Sequence, residues 1–236
     1  MFSYYGSKSR LINYYPRPVF NKIIEPFAGS ARYSLLYFEN EITLVDKNEI
    51  IVGVWNYLKD CSISDIMGLP SLKIGDNIDS LNFDCIEQKW LMGFLISNGA
   101  HVPGKTMSKW GSVVFQKQRN DIAQQLYKIR HWNIVQCDYS EIENEPATWF
   151  IDAPYFVGGH KYKFGSHKID YNHLSTWCKN REGQIIVCEN TNAEWMDFKP
   201  IKTQRGVKKT TTEAIWSNLQ TSYDNVQTAL EFADAV

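Results

Sequence analysis

No apolar run in this 236-residue sequence approaches the ~18 residues that a membrane-spanning helix needs, so no span is expected. The opening residues, MFSYYGSKSR, lack the apolar core of a secretory leader, which argues against export. Cysteine is sparse and odd in number: Cys61, Cys85, Cys137, Cys178 and Cys188, with no CxxC pair. That excludes a disulfide framework and a thiolate zinc site and points to free thiols in a reducing compartment. His160, His167 and His173 lie close together, but their spacing matches no standard metal motif, so they read as loop or surface histidines and no metal is expected. Repeats and low-complexity stretches are missing, as is a full G-x-G-x-x-G fingerprint. Net charge is small, at −1, which excludes a protein coated with positive charge for nucleic acid.

What is present is an ordinary globular composition, 44% hydrophobic and 22% charged, in a chain long enough for one sizeable core with an inserted smaller module. The charge is unevenly placed. Residues 1–22 hold Lys8, Arg10, Arg17 and Lys22 and no acid; residues 101–131 hold six Lys or Arg against Asp121 alone. Residues 199–212 hold Lys199, Lys202, Arg205, Lys208 and Lys209 and no acid, whereas 39–87 hold ten acids against three bases. Local basic segments on a neutral whole can track a phosphate backbone, or can be three solvated faces.

The order of elements favours an α/β fold. KIIEP (22–26) reads as a buried strand, FAGS as a turn, and ARYSLLYFEN as a helix on the spacing of Leu35, Leu36 and Phe38. ITLVD (42–46) reads as a second strand, and NEIIVGVWNYL (48–58) as a helix with Asn48 as its N-cap. A strand–helix–strand–helix start predicts a parallel sheet with helices on its faces. Residues 60–133 interrupt it with turn signals and helical stretches at 85–96 and 119–130. Strands resume at 133–138, 148–152 and 184–189, and 200–206 with 213–217 predict a closing hairpin. The expected organisation is a catalytic domain of residues 1–59 and 134–236, with 60–133 a mainly helical insertion.

Strands of a doubly wound sheet end at a ligand crevice. EPFAGSA (25–31) puts Ala28, Gly29, Ser30 and Ala31 where a backbone must approach a ligand closely; a tight strand-to-helix turn would look the same. Asp46 closes the next strand, where an acid can accept from ribose hydroxyls, so the two together suggest an adenosine-containing cofactor. Cys137-Asp138-Tyr139 ends a later strand, where a polar side chain can meet an adenine edge. The fourth strand end is Asp152-Ala153-Pro154-Tyr155. A planar ring that reacts at an exocyclic amine needs acceptors for the amine hydrogens and an aromatic face. Asp152 with a backbone carbonyl supplies the first, and Tyr155 the second, at ~1–3 kcal/mol for stacking. Pro154 stiffens the turn.

The ordered set resembles the Dam-like (D12 class) family of DNA adenine N6-methyltransferases, which use S-adenosyl-L-methionine. YYGSKSRL (4–11), EPFAGSARYSL (25–35), LVDKNEIIVGVWNYL (44–58) and IDAPY (151–155) carry it, and IVCEN (186–190) and TTEAIWSN (211–218) look like later family segments. The likeness covers most of the chain outside 60–133. It departs from the family at Ala31, where glycine is usual, and at Ala153, where proline is usual. Alanine keeps both the small size and the main-chain carbonyl, so the cofactor is expected to fit and the loop to be looser but chemically complete.

The resemblance implies a Rossmann-like methyltransferase sheet, with S-adenosyl-L-methionine held by Tyr4, Lys8, Phe27, Ala28, Gly29, Ser30, Asp46, Asp138 and Tyr139. Lys8 would pair with its carboxylate, and Asp152, Ala153, Pro154 and Tyr155 would form the catalytic loop. It implies double-stranded DNA as partner, no metal, and a cytoplasmic protein of a bacterial or phage-infected cell. The 60–133 insertion would be the target-recognition region, with Lys105, Lys109, Lys117 and Arg119 meeting phosphates or guanine edges. Tyr162, Lys163 and Lys168 are further candidates for DNA contact. Two alternatives stay open at this point: cytosine N4 as the acceptor, and a relative that binds cofactor and DNA without transferring methyl. A nicotinamide enzyme would need a better glycine fingerprint.

Overall fold

The structure, a computed structural model, describes residues 1–205 and 210–219. Seven strands form one sheet: β1 (Lys22–Glu25), β2 (Glu41–Asp46), β3 (Asn133–Gln136), β4 (Ala147–Ile151), β5 (Gly183–Asn190), β6 (Lys199–Arg205) and β7 (Thr210–Ser217). Their order across the sheet is β3-β2-β1-β4-β5-β7-β6. The first five are parallel; β7 pairs antiparallel with both β5 and β6. Six helices accompany them: α1 (Arg32–Leu36), α2 (Glu49–Asp60), α3 (Ile63–Met67), α4 (Ile86–Ser97), α5 (Lys109–Gln125) and α6 (Tyr171–Lys179). This is the Rossmann-like sheet expected from the strand–helix alternation. The strand order reverses between β1 and β4, and such a switch point opens a crevice at the C-terminal strand ends.

The central strands are short, continuous apolar runs because both faces are covered. Every residue of β4 is buried, as are Ile23, Ile24 and Glu25 of β1. α2 is amphipathic: Ile51, Val52, Val54, Trp55 and Leu58 are buried, and Asn48 caps it by accepting from the Ile50 N–H, as the sequence predicts. Tyr33 and Phe150 stack with centroids 4.2 Å apart, pinning α1 to β4.

Several elements differ from the sequence reading. The helix predicted over 31–40 stops at Leu36, where Tyr37 leaves helical geometry (φ −109°, ψ 39°). The helix predicted from 119 starts ten residues earlier at Lys109, because the Ser108 hydroxyl accepts from the Gly111 N–H and caps it. α6 has no counterpart in the sequence reading; Asp170 caps it by accepting from the Asn172 and His173 N–H groups. The hairpin of 200–206 and 213–217 is present as β6 and β7; residue 206 lies outside the described residues. Residues 60–133 are mainly helical, and they share a core with the sheet. Leu91–Ile96 of α4, Phe115 and Ile122 of α5, and Trp132 join Ile23, Leu44 and Trp55 in one buried cluster. All five cysteines are free thiols. Among the described residues no helix is long and apolar enough to cross a membrane.

Gly183 opens β5 with φ +101°, and a Cβ there would lie 2.2 Å from the Ala147 carbonyl oxygen. Neither the backbone angle nor the strand spacing leaves room for a side chain. Gly183→Ala is expected to destabilise the fold by about 2 kcal/mol or more in urea unfolding, since strain and a β4 clash add. A loss under about 0.5 kcal/mol would show that β5 enters the sheet differently.

Candidate active site

Each of the five parallel strands carries an acid at, or within two residues of, its C-terminal end, and each acid has a defined partner. Glu25 ends β1 and accepts from the Ser34 N–H at 2.6 Å. It supplies the acceptor that α1 otherwise lacks, because Ala31 at the helix N-cap has no capping side chain. Burial pushes its carboxyl up to about 8. Asp46 ends β2 and accepts from the Gly29 N–H (3.3 Å) and the Asn48 N–H (2.8 Å). Burial lifts its pKa to about 6, although both backbone bonds pull the other way. Asp46 thereby ties the small-residue loop after β1 to the start of α2. Trp55 of α2 holds the same loop by donating its indole N–H to the Gly29 carbonyl at 2.9 Å.

Gly29 (φ +45°) and Ala31 (φ +44°, ψ 46°) both occupy the left-handed region. A Cβ on Gly29 would lie 3.3 Å from the Tyr4 ring, so Tyr4 covers this loop closely. Ala31 does not relax the loop into an ordinary conformation. It adopts the backbone a glycine would adopt, at a cost of roughly 1–2 kcal/mol.

A cavity of about 290 Å³ lies over this loop. Tyr4, Lys8, Phe27, Ala28, Gly29, Ser30, Asp46, Asp138 and Tyr139, all expected from the sequence, line it together. Phe27 and Tyr139 pack with ring centroids 5.4 Å apart. The Tyr139 hydroxyl is 2.8 Å from His173 Nδ1, which gives that histidine a partner within the site. Asp138 caps the turn after β3 by accepting from the Ser140 N–H (3.1 Å) and pairs with Lys47 at 2.9 Å. Burial opposes its ionisation, but the Lys47 and Ser140 bonds hold it below the usual carboxylate range. The wall opposite brings in Tyr162, Lys163, Phe164 and Lys168.

A second cavity, about 580 Å³, adjoins the first. Tyr5, Gly6, Lys8, Asp152 and Tyr162 belong to both linings, whereas Ala153, Tyr155, Asn190, Asn192, Thr212 and Glu213 line the second alone. Asp152 is therefore part of the wall the two cavities share. Its carboxylate meets Lys8 Nζ at 2.8 Å, and Lys8 Nζ also stands 4.3 Å from the centroid of the Tyr155 ring. Burial raises the Asp152 carboxyl while Lys8 draws it back. Glu213 of β7, 7% exposed, accepts from the hydroxyls of Tyr15 (2.6 Å) and Tyr155. Burial raises its carboxyl too. Glu189 of β5 accepts from the Phe156 N–H at 2.7 Å and the Trp195 indole at 3.2 Å, fixing the loop just past Tyr155. Tyr171 of α6 donates to the Pro154 carbonyl.

Glu189 and Glu213 have structural roles that the sequence reading did not assign, although both lie in segments it singled out, IVCEN and TTEAIWSN. The Lys8–Asp152 pair was also absent from it. The four residues proposed for DNA contact line neither cavity. Lys105 pairs with Asp79 at 3.1 Å and Lys117 with Asp121 at 2.6 Å. Arg119 donates to the Leu69 carbonyl at 2.9 Å and the Gln116 side chain at 2.7 Å. Lys109 is exposed at the start of α5. Of the C-terminal basic segment, Lys199 pairs with Asp197 at 2.9 Å, and Lys208 and Lys209 lie outside the described residues.

The donor set of the first cavity fits an adenosine-bearing cofactor. It offers a carboxylate with both oxygens oriented by backbone N–H groups, a small-residue loop too tight for a side chain at Gly29, and aromatic walls at Phe27 and Tyr139.

No family model matches the chain, and no curated protein matches it. Among solved structures, the chain is similar in outline to the candidate methyltransferase yhhF of Escherichia coli, with 9% identity over 88% of this chain and 78% of that one and a TM-score of 0.35. A candidate methylase of Haemophilus influenzae, HI0767, is similar at 11% identity over 90% of this chain and 84% of that one, also with a TM-score of 0.35. Likeness at this level carries no argument about activity; the fold rests on its strand order and the site on its own geometry.

Proposed function

We propose that the protein transfers a methyl group from S-adenosyl-L-methionine to the N6 amine of an adenine extruded from double-stranded DNA. The observation that carries this reading is the position of Asp152 as the shared wall of two cavities, one suited to an adenosine-bearing cofactor and one with an aromatic face.

When bound, S-adenosyl-L-methionine supplies an electrophilic methyl on a sulfonium. Asp46 accepts from its ribose hydroxyls, Phe27 lines its pocket, and Asp138 with Tyr139 addresses its adenine. Lys8, on the same wall, is the cation available to its carboxylate. In the second cavity Tyr155 offers its ring to the acceptor base. Asp152 and the Ala153 carbonyl accept the amine hydrogens, which draws the nitrogen lone pair out of conjugation and aims it toward the first cavity. Asp152 is placed to receive the proton the amine loses. Extrusion of the base costs a few kcal/mol, which contacts in the second cavity and along the DNA backbone offset. Lys105, Lys109, Lys117 and Arg119 of the insertion, with Lys163 and Lys168, would supply the backbone contacts, Lys105, Lys117 and Lys163 by exchanging Asp79, Asp121 and Glu49 for phosphate.

The direct test is to incubate the protein with unmethylated duplex DNA and S-adenosyl-L-methionine and identify methylated nucleosides by mass spectrometry. N6-methyladenine is expected, and Asp152→Ala should lower its formation by about 100-fold or more. N4-methylcytosine would keep the mechanism and move the acceptor. Full turnover by Asp152→Ala would sink the reading. Cofactor binding without any methylated base would leave a binding protein, with Ala153→Pro as the variant to try for recovery.

Asp46 gives a second test with a sign fixed by its titration. The ribose needs an ionised acceptor, and the Asp46 carboxyl titrates at about 6. Affinity for S-adenosylhomocysteine, measured by calorimetry, should be steady above pH 7 and fall as pH drops through 6. At pH 5 it should be about tenfold weaker, as one pKa unit of protonation requires. Asp46→Asn should flatten this profile. A wild-type profile that is level from pH 5 to pH 8 would remove Asp46 from the cofactor site.

A further inference from the structure

Lys8 makes two of the contacts that the acceptor base is meant to make, one of its amine and one of its ring. Its ammonium donates to Asp152 at 2.8 Å and covers the Tyr155 ring at 4.3 Å from the centroid. A base stacked on that face places its atoms about 3.5–4.0 Å from the ring carbons, the space the Lys8 ammonium fills. Asp152 and Tyr155 cannot serve both groups at once. Tyr155 is held by its hydroxyl on Glu213, which Tyr15 also bonds, and by packing against the main core. The lysine, by contrast, has a four-carbon stem and, among the described residues, one other hydrogen-bond partner, the Gly6 carbonyl at 3.4 Å. Lys8 lines the neighbouring cavity as well, so the side chain has open space to move into.

We propose that Lys8 is a tethered competitor for the acceptor site: it occupies the amine subsite formed by Asp152 and Tyr155, and a planar ring enters only as Lys8 withdraws toward the first cavity. The identity of that ring as an amine-bearing base rests on the methyl-transfer reading. Lys8 thereby sets specificity. A ring bearing an amine replaces the hydrogen bond that Asp152 loses, whereas a ring without one leaves a buried carboxylate unpartnered and is rejected.

The test uses the intact protein with 9-ethyladenine as probe and 9-ethylpurine, which lacks the amine, as control. Lysine acetylation by an N-hydroxysuccinimide ester is followed peptide by peptide by mass spectrometry. Saturating 9-ethyladenine should speed acetylation of Lys8 by about fivefold or more relative to the exposed lysines, and 9-ethylpurine should not. By ligand-observed NMR, Lys8→Met should bind 9-ethyladenine about fivefold or more tightly than the wild type. The acetylation arm stands even where the variant fails to fold. No binding of 9-ethyladenine, or binding that leaves the Lys8 rate unchanged or slower, overturns the proposal. Release of Lys8 by 9-ethyladenine in a protein that methylates no DNA would overturn methyl transfer and leave the competition standing. Methylation of DNA without that release would do the reverse.

Discussion

The arrangement depends on one buried ammonium. Lys8 is the cation that faces Asp152 and Glu213, and both carboxyls are raised by their burial. Without it, two acids would be desolvated side by side with only tyrosine hydroxyls to satisfy them. Burying an unpaired charge costs several kcal/mol, and loss of one partner from a buried pair costs up to ~3–5 kcal/mol. The Asp152 side chain keeps 23% of its exposure, so water screens part of this. The pair also sets topology. It joins the N-terminal segment to the end of β4, and Tyr15 and Tyr155 carry the link on to β7 through Glu213. The N-terminal segment is thus built into the floor between the two cavities.

The acids at the strand ends explain why one of them is available for chemistry. Glu25 is committed to the Ser34 N–H, Asp46 to Gly29 and Asn48, Asp138 to Ser140, and Glu189 to Phe156 and Asn190. Each takes a backbone N–H and so shapes a loop. Asp152 is different, because its partner is a side chain on a flexible stem. A carboxylate bound to a backbone N–H cannot exchange that partner without deforming the loop, whereas one bound to a lysine can. The sheet therefore fixes four acids in orientation through backbone N–H groups and leaves the fifth, at the switch point between the cavities, exchangeable.

Much of the fold was legible because its signals are local. Asn48 as N-cap, the apolar run of β4, and the small residues at 28–31 each act within a few positions, and a parallel sheet follows from the strand–helix alternation. Asp46, Asp138 and Tyr139 were expected together because strand ends of a parallel sheet share an edge, whereas Tyr4 and Phe27 were expected from the family resemblance. What remained hidden depends on contacts between distant segments. Glu213 meets Tyr15 across nearly the whole chain, and no pattern around TTEAIWSN announces that. The pairing of Lys8 with Asp152 is hidden for the same reason. The early start of α5 was missed because the basic, glycine-containing stretch around Lys109 reads as loop until the Ser108 cap is seen. The insertion lysines were read as a charge pattern, but in space Lys105 and Lys117 face acids and Arg119 braces a carbonyl.

The two alanines that depart from the resembled family fit this division between local and distant control. Glycine and proline shape a loop through their own backbone limits, and alanine has neither. At Ala31 the left-handed geometry is kept nonetheless, because the loop is held from outside: Trp55 grips the Gly29 carbonyl, Asp46 the Gly29 N–H, and Glu25 the first turn of α1. At Ala153 the loop is held after the substituted position, by Tyr171 on the Pro154 carbonyl and Glu189 on the Phe156 N–H. Strain of ~1–3 kcal/mol at a left-handed residue such as Ala31 persists only where its surroundings over-determine it. Here those surroundings are the buried acids and aromatics of the site. Loop shape and acceptor chemistry thus draw on one network, so a substitution in Glu189 or Glu213 acts on both.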